Sequence, residues 1–114
     1  MKDITQRALL FDFYGALLTE KQCMIYDLYF QQDLSLGEIG QTQGVSRQAV
    51  YDLLKRTEES LGNYENKLGL VKKFLDSREI IKGIRAEVKN LYRKSADIDL
   101  EKINFFLKEL EDSW

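Results

Sequence analysis

The sequence predicts an all-α protein built around a helix-turn-helix at residues 35–56. Three observations carry this expectation. Proline, the strongest helix breaker, is absent from all 114 residues. Apolar residues recur three and four apart from Leu10 to Leu110, the spacing of a helix face. Two N-cap signals, Ser35 and Ser46, stand on either side of Gly44, a residue suited to a left-handed turn.

Composition narrows the function classes. Apolar residues make up 44% and charged residues 32%, the balance of a folded chain of one-domain size. No apolar run approaches the ~20 residues of a membrane span, and no membrane insertion is expected. The start, Met1-Lys2-Asp3-Ile4, lacks the basic-then-apolar pattern of a signal peptide. A single cysteine, Cys23, forms no internal disulfide and fits a reducing cytoplasm, the expected location. With no histidine and one cysteine, structural zinc sites and histidine-based triads are out of reach, and no glycine-rich phosphate loop is present. The expectation is a protein that is not an enzyme and carries no cofactor and no metal.

Charge is placed unevenly along the chain. Residues 62–95 carry nine basic and four acidic groups, whereas residues 96–114 carry two and six. A pI of about 5.2 argues against coating nucleic acid by charge alone, because phosphate binding rests on lysine and arginine. It leaves room for a local basic surface.

Leu10, Phe13, Tyr14 and Leu17 share one helix face and predict a first helix from about Asp3 to Gly15. Thr19 with Gln22 reads as a capping box, opening a second helix over Glu20–Gln31 that buries Ile25, Leu28 and Tyr29. Ser35 with Glu38 reads as another, opening a short helix that ends near Thr42. After the turn at Gly44, Ser46 caps a helix starting at Arg47 and reaching at least Leu61. Leu61, Tyr64, Leu68, Val71 and Leu75 continue the helical spacing. Ile81, Ile84, Val88 and Leu91 continue it out of phase, which predicts a bend or two helices meeting near Asp76-Ser77. A last helix carries Leu100, Ile103, Leu107 and Leu110, capped by Asp97 or Asp99. The candidate boundary lies near Leu61-Gly62, as a linker or as a continuous helix, giving a helix-turn-helix domain over 1–61 and a helical extension over 62–114 that is expected to dimerise.

The segment SLGEIGQTQGVSRQAVYDLLKR, residues 35–56, is the informative one. Leu36, Ile39, Val45, Val50, Leu53 and Leu54 hold two helices to a common core. Ser46, Arg47, Gln48, Tyr51 and Lys55 are left on the outer face of the second helix, the one that enters the DNA major groove in this motif. Arginine pairs bidentately with guanine and glutamine with adenine, so Arg47 and Gln48 are the expected base readers. Ser46, Lys55 and Arg56 suit phosphate contacts, and Tyr51 suits a sugar or a thymine methyl. A hairpin used only for packing or protein contact is the competing reading, favoured by the net charge of −1 over residues 35–61 and opposed by the outward Ser-Arg-Gln run. Asp52, Glu58 and Glu59 must turn away from the DNA backbone for this surface to work.

LTEKQCMIYDLYF, residues 18–30, followed by DLSLGEIGQTQGVSRQAVYDLLKR, residues 33–56, resembles region four of bacterial sigma factors. The whole chain is more similar still to the YlxM family, small helix-turn-helix proteins of Gram-positive bacteria. The resemblance implies a sigma region-four-like bundle with a long-helix C-terminal extension, duplex DNA as partner and a regulatory role. Genes of that family lie beside the gene of the signal recognition particle GTPase, which implies a link to that pathway. Outward Ser46, Arg47, Gln48 and Tyr51 match the sigma-like pattern. Gly40 stands where that pattern commonly has alanine, and Gln43 where it is usually apolar.

The extension adds two features. Arg78, Lys82, Arg85, Lys89 and Arg93 step by three and four into one stripe, beside the apolar seam of Ile81, Ile84, Val88 and Leu91. The stripe is either a second nucleic-acid surface or a face paired with acidic Glu101, Glu109, Glu111 and Asp112, and charge runs favour the pairing. The apolar seams exceed what so few helices enclose, so a homodimer is expected. The alternative function is an accessory of the signal recognition particle that contacts its RNA or GTPase without binding DNA.

Overall fold

The computed structural model describes residues 4–94 and 99–114. The described residues form helices and no strands: α1 (Ile4–Tyr14), α2 (Glu20–Phe30), α3 (Leu36–Gln43), α4 (Arg47–Leu68), α5 (Leu70–Lys94) and α6 (Leu100–Asp112). They divide into two compact units, residues 1–69 and 70–114.

In the first unit, α4 is the element on which α1, α2 and α3 all pack. Val50, Leu54, Thr57 and Leu61 are its buried residues, spaced to lie on one face. They meet Leu10 and Tyr14 of α1, Ile25 and Tyr26 of α2 and Ile39 of α3 in a single core. Thr57, the polar one of the four α4 residues, donates its hydroxyl to the Leu53 carbonyl at 2.8 Å, which satisfies that buried donor.

Local chemistry sets the helix ends. Thr19 with Gln22 and Ser35 with Glu38 form complete capping boxes, each hydroxyl accepting from the N3 amide while the N3 side chain accepts from the cap amide. Each such cap stabilises a helix by about 1 kcal/mol. Hydrogen bonds from the Ser35 backbone, then from its side chain, hold the Glu38 carboxyl below the usual carboxylate range. Gly44 closes α3 in a left-handed conformation, φ 71°. Gly40 matters for a different reason: a Cβ there would lie 2.6 Å from the Val45 carbonyl oxygen. The glycine that departs from the alanine pattern is what lets the turn close onto α3.

Several expectations change. The first helix stops at Tyr14, and Gly15–Leu17 tighten into a 3₁₀ turn, so Leu17 leaves the helix face and is exposed. In α2 the buried aromatic is Tyr26, while Leu28 and Tyr29 are half-buried, because Tyr26 stacks on Phe11 at 5.1 Å and turns with Ile25 into the core. The phase break does not mark a helix end. Helix α5 runs unbroken through Asp76-Ser77, where Lys72 pairs with Asp76 at 2.8 Å. The chain breaks instead at Gly69, which takes φ 63° and donates its amide to the Glu65 carbonyl. Leu61-Gly62 lies inside α4. Asp99 caps α6 by accepting from the Lys102 amide at 3.0 Å; Asp3 and Asp97 lie outside the described residues. Cys23 is half-buried and its thiol donates to the Gly15 carbonyl, a packing role.

In the second unit, Ile81 of α5 and Leu107 of α6 are buried. Phe74 meets Trp114 edge-on at 5.9 Å, and Arg85 bonds Glu111, so the two helices run antiparallel.

Two outcomes are expected. Gly40→Ala lowers unfolding stability in urea by about 1–3 kcal/mol, because the methyl meets rigid backbone. Burial, then the charge of Glu58, pushes the Tyr26 phenol up from 10.0 to about 12, with Arg7 opposing. A phenol raised in the folded state contributes stability that is intact below pH 10.0 and lost as pH climbs toward 12. Tyr26→Phe removes that part of the alkaline loss in a pH series of denaturation curves.

Candidate nucleic-acid interface

The candidate interface is the beginning of α4. Ser46 sits outside the helix with extended backbone and accepts from the Ala49 amide at 3.1 Å. That cap leaves the first backbone N–H groups of α4 pointing outward at the positive end of the helix dipole. An anion is stabilised at such an end.

Arg47, Gln48, Tyr51, Lys55 and Arg56 are all exposed. The buried set Val50, Leu54, Thr57 and Leu61 explains this, since the remaining angular positions of a 3.6-residue helix turn to solvent. Arg47, Gln48 and Tyr51 line a shallow hollow with Leu36 of α3, so the two helices of the motif share one surface. Of the sequence-derived residues, Arg47, Gln48 and Tyr51 share that hollow, while Lys55 and Arg56 are exposed further along α4. The structure also adds one that the sequence reading placed elsewhere.

The addition is Asp52. Glu58 does turn inward, as the surface requires, and pairs with Arg7 of α1 at 3.0 Å. Arg7 in turn lies over the Phe30 ring at 4.8 Å. Glu59 and Asp52 stay exposed. Asp52 stands one turn beyond Gln48 and accepts from its Nε2 at 3.1 Å. Of the three carboxylates, Glu58 alone is drawn to a cation on another helix, the half-buried Arg7. With one Nε2 hydrogen given to Asp52, the Gln48 amide keeps its second N–H and its Oε1 for an outside partner. That N–H and oxygen complement the N7 acceptor and the N6 donor that adenine presents in the major groove. The i, i+4 spacing of Gln48 and Asp52 was the signal in the sequence.

The basic stripe occupies α5, within the second unit. Arg78, Lys82, Arg85 and Lys89 line a hollow there together with Glu79 and Glu111, and Arg93 is exposed further along. Arg78 lies over the Phe74 ring at 5.5 Å. Arg85 bonds Glu111 of α6, so at that residue the stripe does meet the acidic helix. Lys82, Lys89 and Arg93 face solvent. Among the described residues no group of three or more metal-ligating side chains gathers, and no helix is long and apolar enough to cross a membrane.

Comparison with known proteins decides the family. A family model described as "Putative helix-turn-helix protein, YlxM / p13 like" matches residues 1–103. The chain belongs to the UPF0122 family. A UPF0122 protein of Caldanaerobacter subterraneus is 53% identical over 83 residues, which is 73% of this chain and 71% of the relative. One from Acetivibrio thermocellus is 43% identical over 112 residues, covering 98% of this chain and 93% of its own length. One from Listeria welshimeri is 45% identical over 97 residues, 83% of this chain and 88% of the relative. The description of the UPF0122 family names a helix-turn-helix, which is the motif formed by α3 and α4, and names no catalytic activity.

Proposed function

We propose that this UPF0122 protein is a DNA-binding regulator of the cytoplasm, without catalytic activity, that sets the N-terminal end of α4 into the major groove. One observation carries the reading: Arg47 and Gln48 stand exposed at the capped start of α4, with Tyr51, Lys55 and Arg56 on the same helix also open to solvent. In this reading Arg47 and Gln48 meet base edges, Ser46, Lys55 and Arg56 meet phosphates, and Tyr51 packs on the sugar edge. The residues beyond α4 serve to pair two copies, so that two recognition helices meet a two-fold site.

A specific observation favours a second reading. Lys82, Lys89 and Arg93 line one side of α5 in the open. In that reading the stripe holds a structured RNA, and the protein is an accessory of the signal recognition particle through its RNA or GTPase. A gel shift at several salt concentrations separates the two. Preference for duplex DNA supports the first. Preference for RNA that disappears on neutralising Arg78, Lys82 and Arg85 supports the second.

Duplexes selected from a random pool supply the tests of the first reading. Arg47→Ala weakens the selected site by about 1–3 kcal/mol while leaving scrambled duplex unchanged. Lys55→Ala weakens both alike and lowers the salt slope by about one ion. Asp52→Ala has a split effect: it removes a carboxylate facing the DNA, so affinity for every duplex rises. Discrimination at the base read by Gln48 falls, because its amide loses the anchor that orients it.

A further inference from the structure

The hairpin of α5 and α6 has two unlike sides. Ile81 and Leu107, both buried, mark where each helix turns to the other. Stepping 100° per residue from Ile81 places Ile80, Ile84 and Leu91 about 80° round the helix. The same step from Leu107 places Phe106 and Leu110 about 80° round in the same rotational sense. Because the two helices run antiparallel, equal senses bring both rows to one side of the hairpin. These five side chains are between 42% and 63% exposed. The basic stripe, Arg78 to Arg93, falls about 80° round α5 in the opposite sense, on the other side.

We propose that this apolar side binds the same side of a second copy of the chain, closing a four-helix bundle of two α5–α6 hairpins. The inference deepens the homodimer reading above by naming its interface. Two observations select a second copy as the occupant. The first is area: five half-exposed apolar side chains present on the order of 500 Å² of contiguous surface, and their margins bring it toward the ~800 Å² per partner of a stable interface. The second is charge. Glu87 and Lys102 are exposed on the two outer margins of this side, one on α5 and one on α6. A two-fold axis parallel to the helices lays each α5 on the other copy's α6, and brings each Glu87 to the margin that carries Lys102. The same surface thus complements itself, as an isologous interface must. A polyanion is the poorer occupant, since the basic stripe lies on the other side, where Lys82, Lys89 and Arg93 stay exposed in the dimer.

Sedimentation equilibrium of the full chain tests the proposal. The expected mass at micromolar concentration is twice the 13.4 kDa of one chain. Ile84→Asp with Leu110→Asp yields a monomer with unchanged helix content by circular dichroism. Glu87→Lys weakens the dimer at least tenfold, and adding Lys102→Glu restores it, a rescue that a folding defect does not give. Lys82→Glu with Lys89→Glu, on the opposite side, leaves the dimer intact. A wild-type monomer overturns both the homodimer and this face. A dimer that survives the double aspartate change, or an absent rescue, overturns the face alone.

Discussion

The first unit depends on how closely α3 is followed by its turn. A helix, a turn and a second helix share a surface only when the chain reverses within a few residues, and here it reverses against Gly40. With 2.6 Å between the Val45 carbonyl and the place a Cβ would take, any larger residue pushes the turn outward. Moving the turn moves Ser46, and with it the first backbone amides of α4 and the directions of Arg47 and Gln48. Gly44 completes the reversal by taking a left-handed conformation at little steric cost. The surface shared by α3 and α4 and the direction of the polar strip thus depend on one backbone contact.

Charge on α4 is arranged by what each carboxylate can reach. Glu58 finds Arg7 against the Phe30 ring and is drawn inward, leaving Tyr26 beside a negative charge in a buried site. Asp52 finds only Gln48 and stays on the outer surface. On a surface proposed to meet phosphate, a carboxylate costs affinity, and here it holds the Gln48 amide against itself. In the DNA-binding function proposed above, this arrangement trades some electrostatic attraction for orientation of the Gln48 amide, in a chain with an acidic pI.

Much of this was legible in the residues. Capping boxes at Thr19 and Ser35, the cap at Ser46 and the left-handed Gly44 are local chemistry, decided within four residues, and the structure has all of them. The break at Gly69 was missed because the apolar pattern on its two sides changes phase only later, so periodicity pointed to Asp76-Ser77. A left-handed glycine cap was the signal, and it required no periodicity at all. Tyr26 and Tyr29 could not be ranked from spacing, since which aromatic is buried depends on Phe11 arriving from α1. That Gly40 is small enough for a close approach was visible in the sequence; that its neighbour is a carbonyl five residues on was not, because only closure of the turn brings the two together. On the surface, the residue types at 46–48 were plain, whereas the contact that orients Gln48 showed in the sequence only as an i, i+4 spacing with Asp52.

The most direct measurement is a backbone amide NMR titration of the full chain with a duplex selected from a random pool. Amides of Ser46, Arg47, Gln48 and Tyr51 are expected to shift first and furthest, with those of the α1–α2 core unmoved. Shifts confined to α5, or none anywhere along α4, contradict the assignment of the recognition surface.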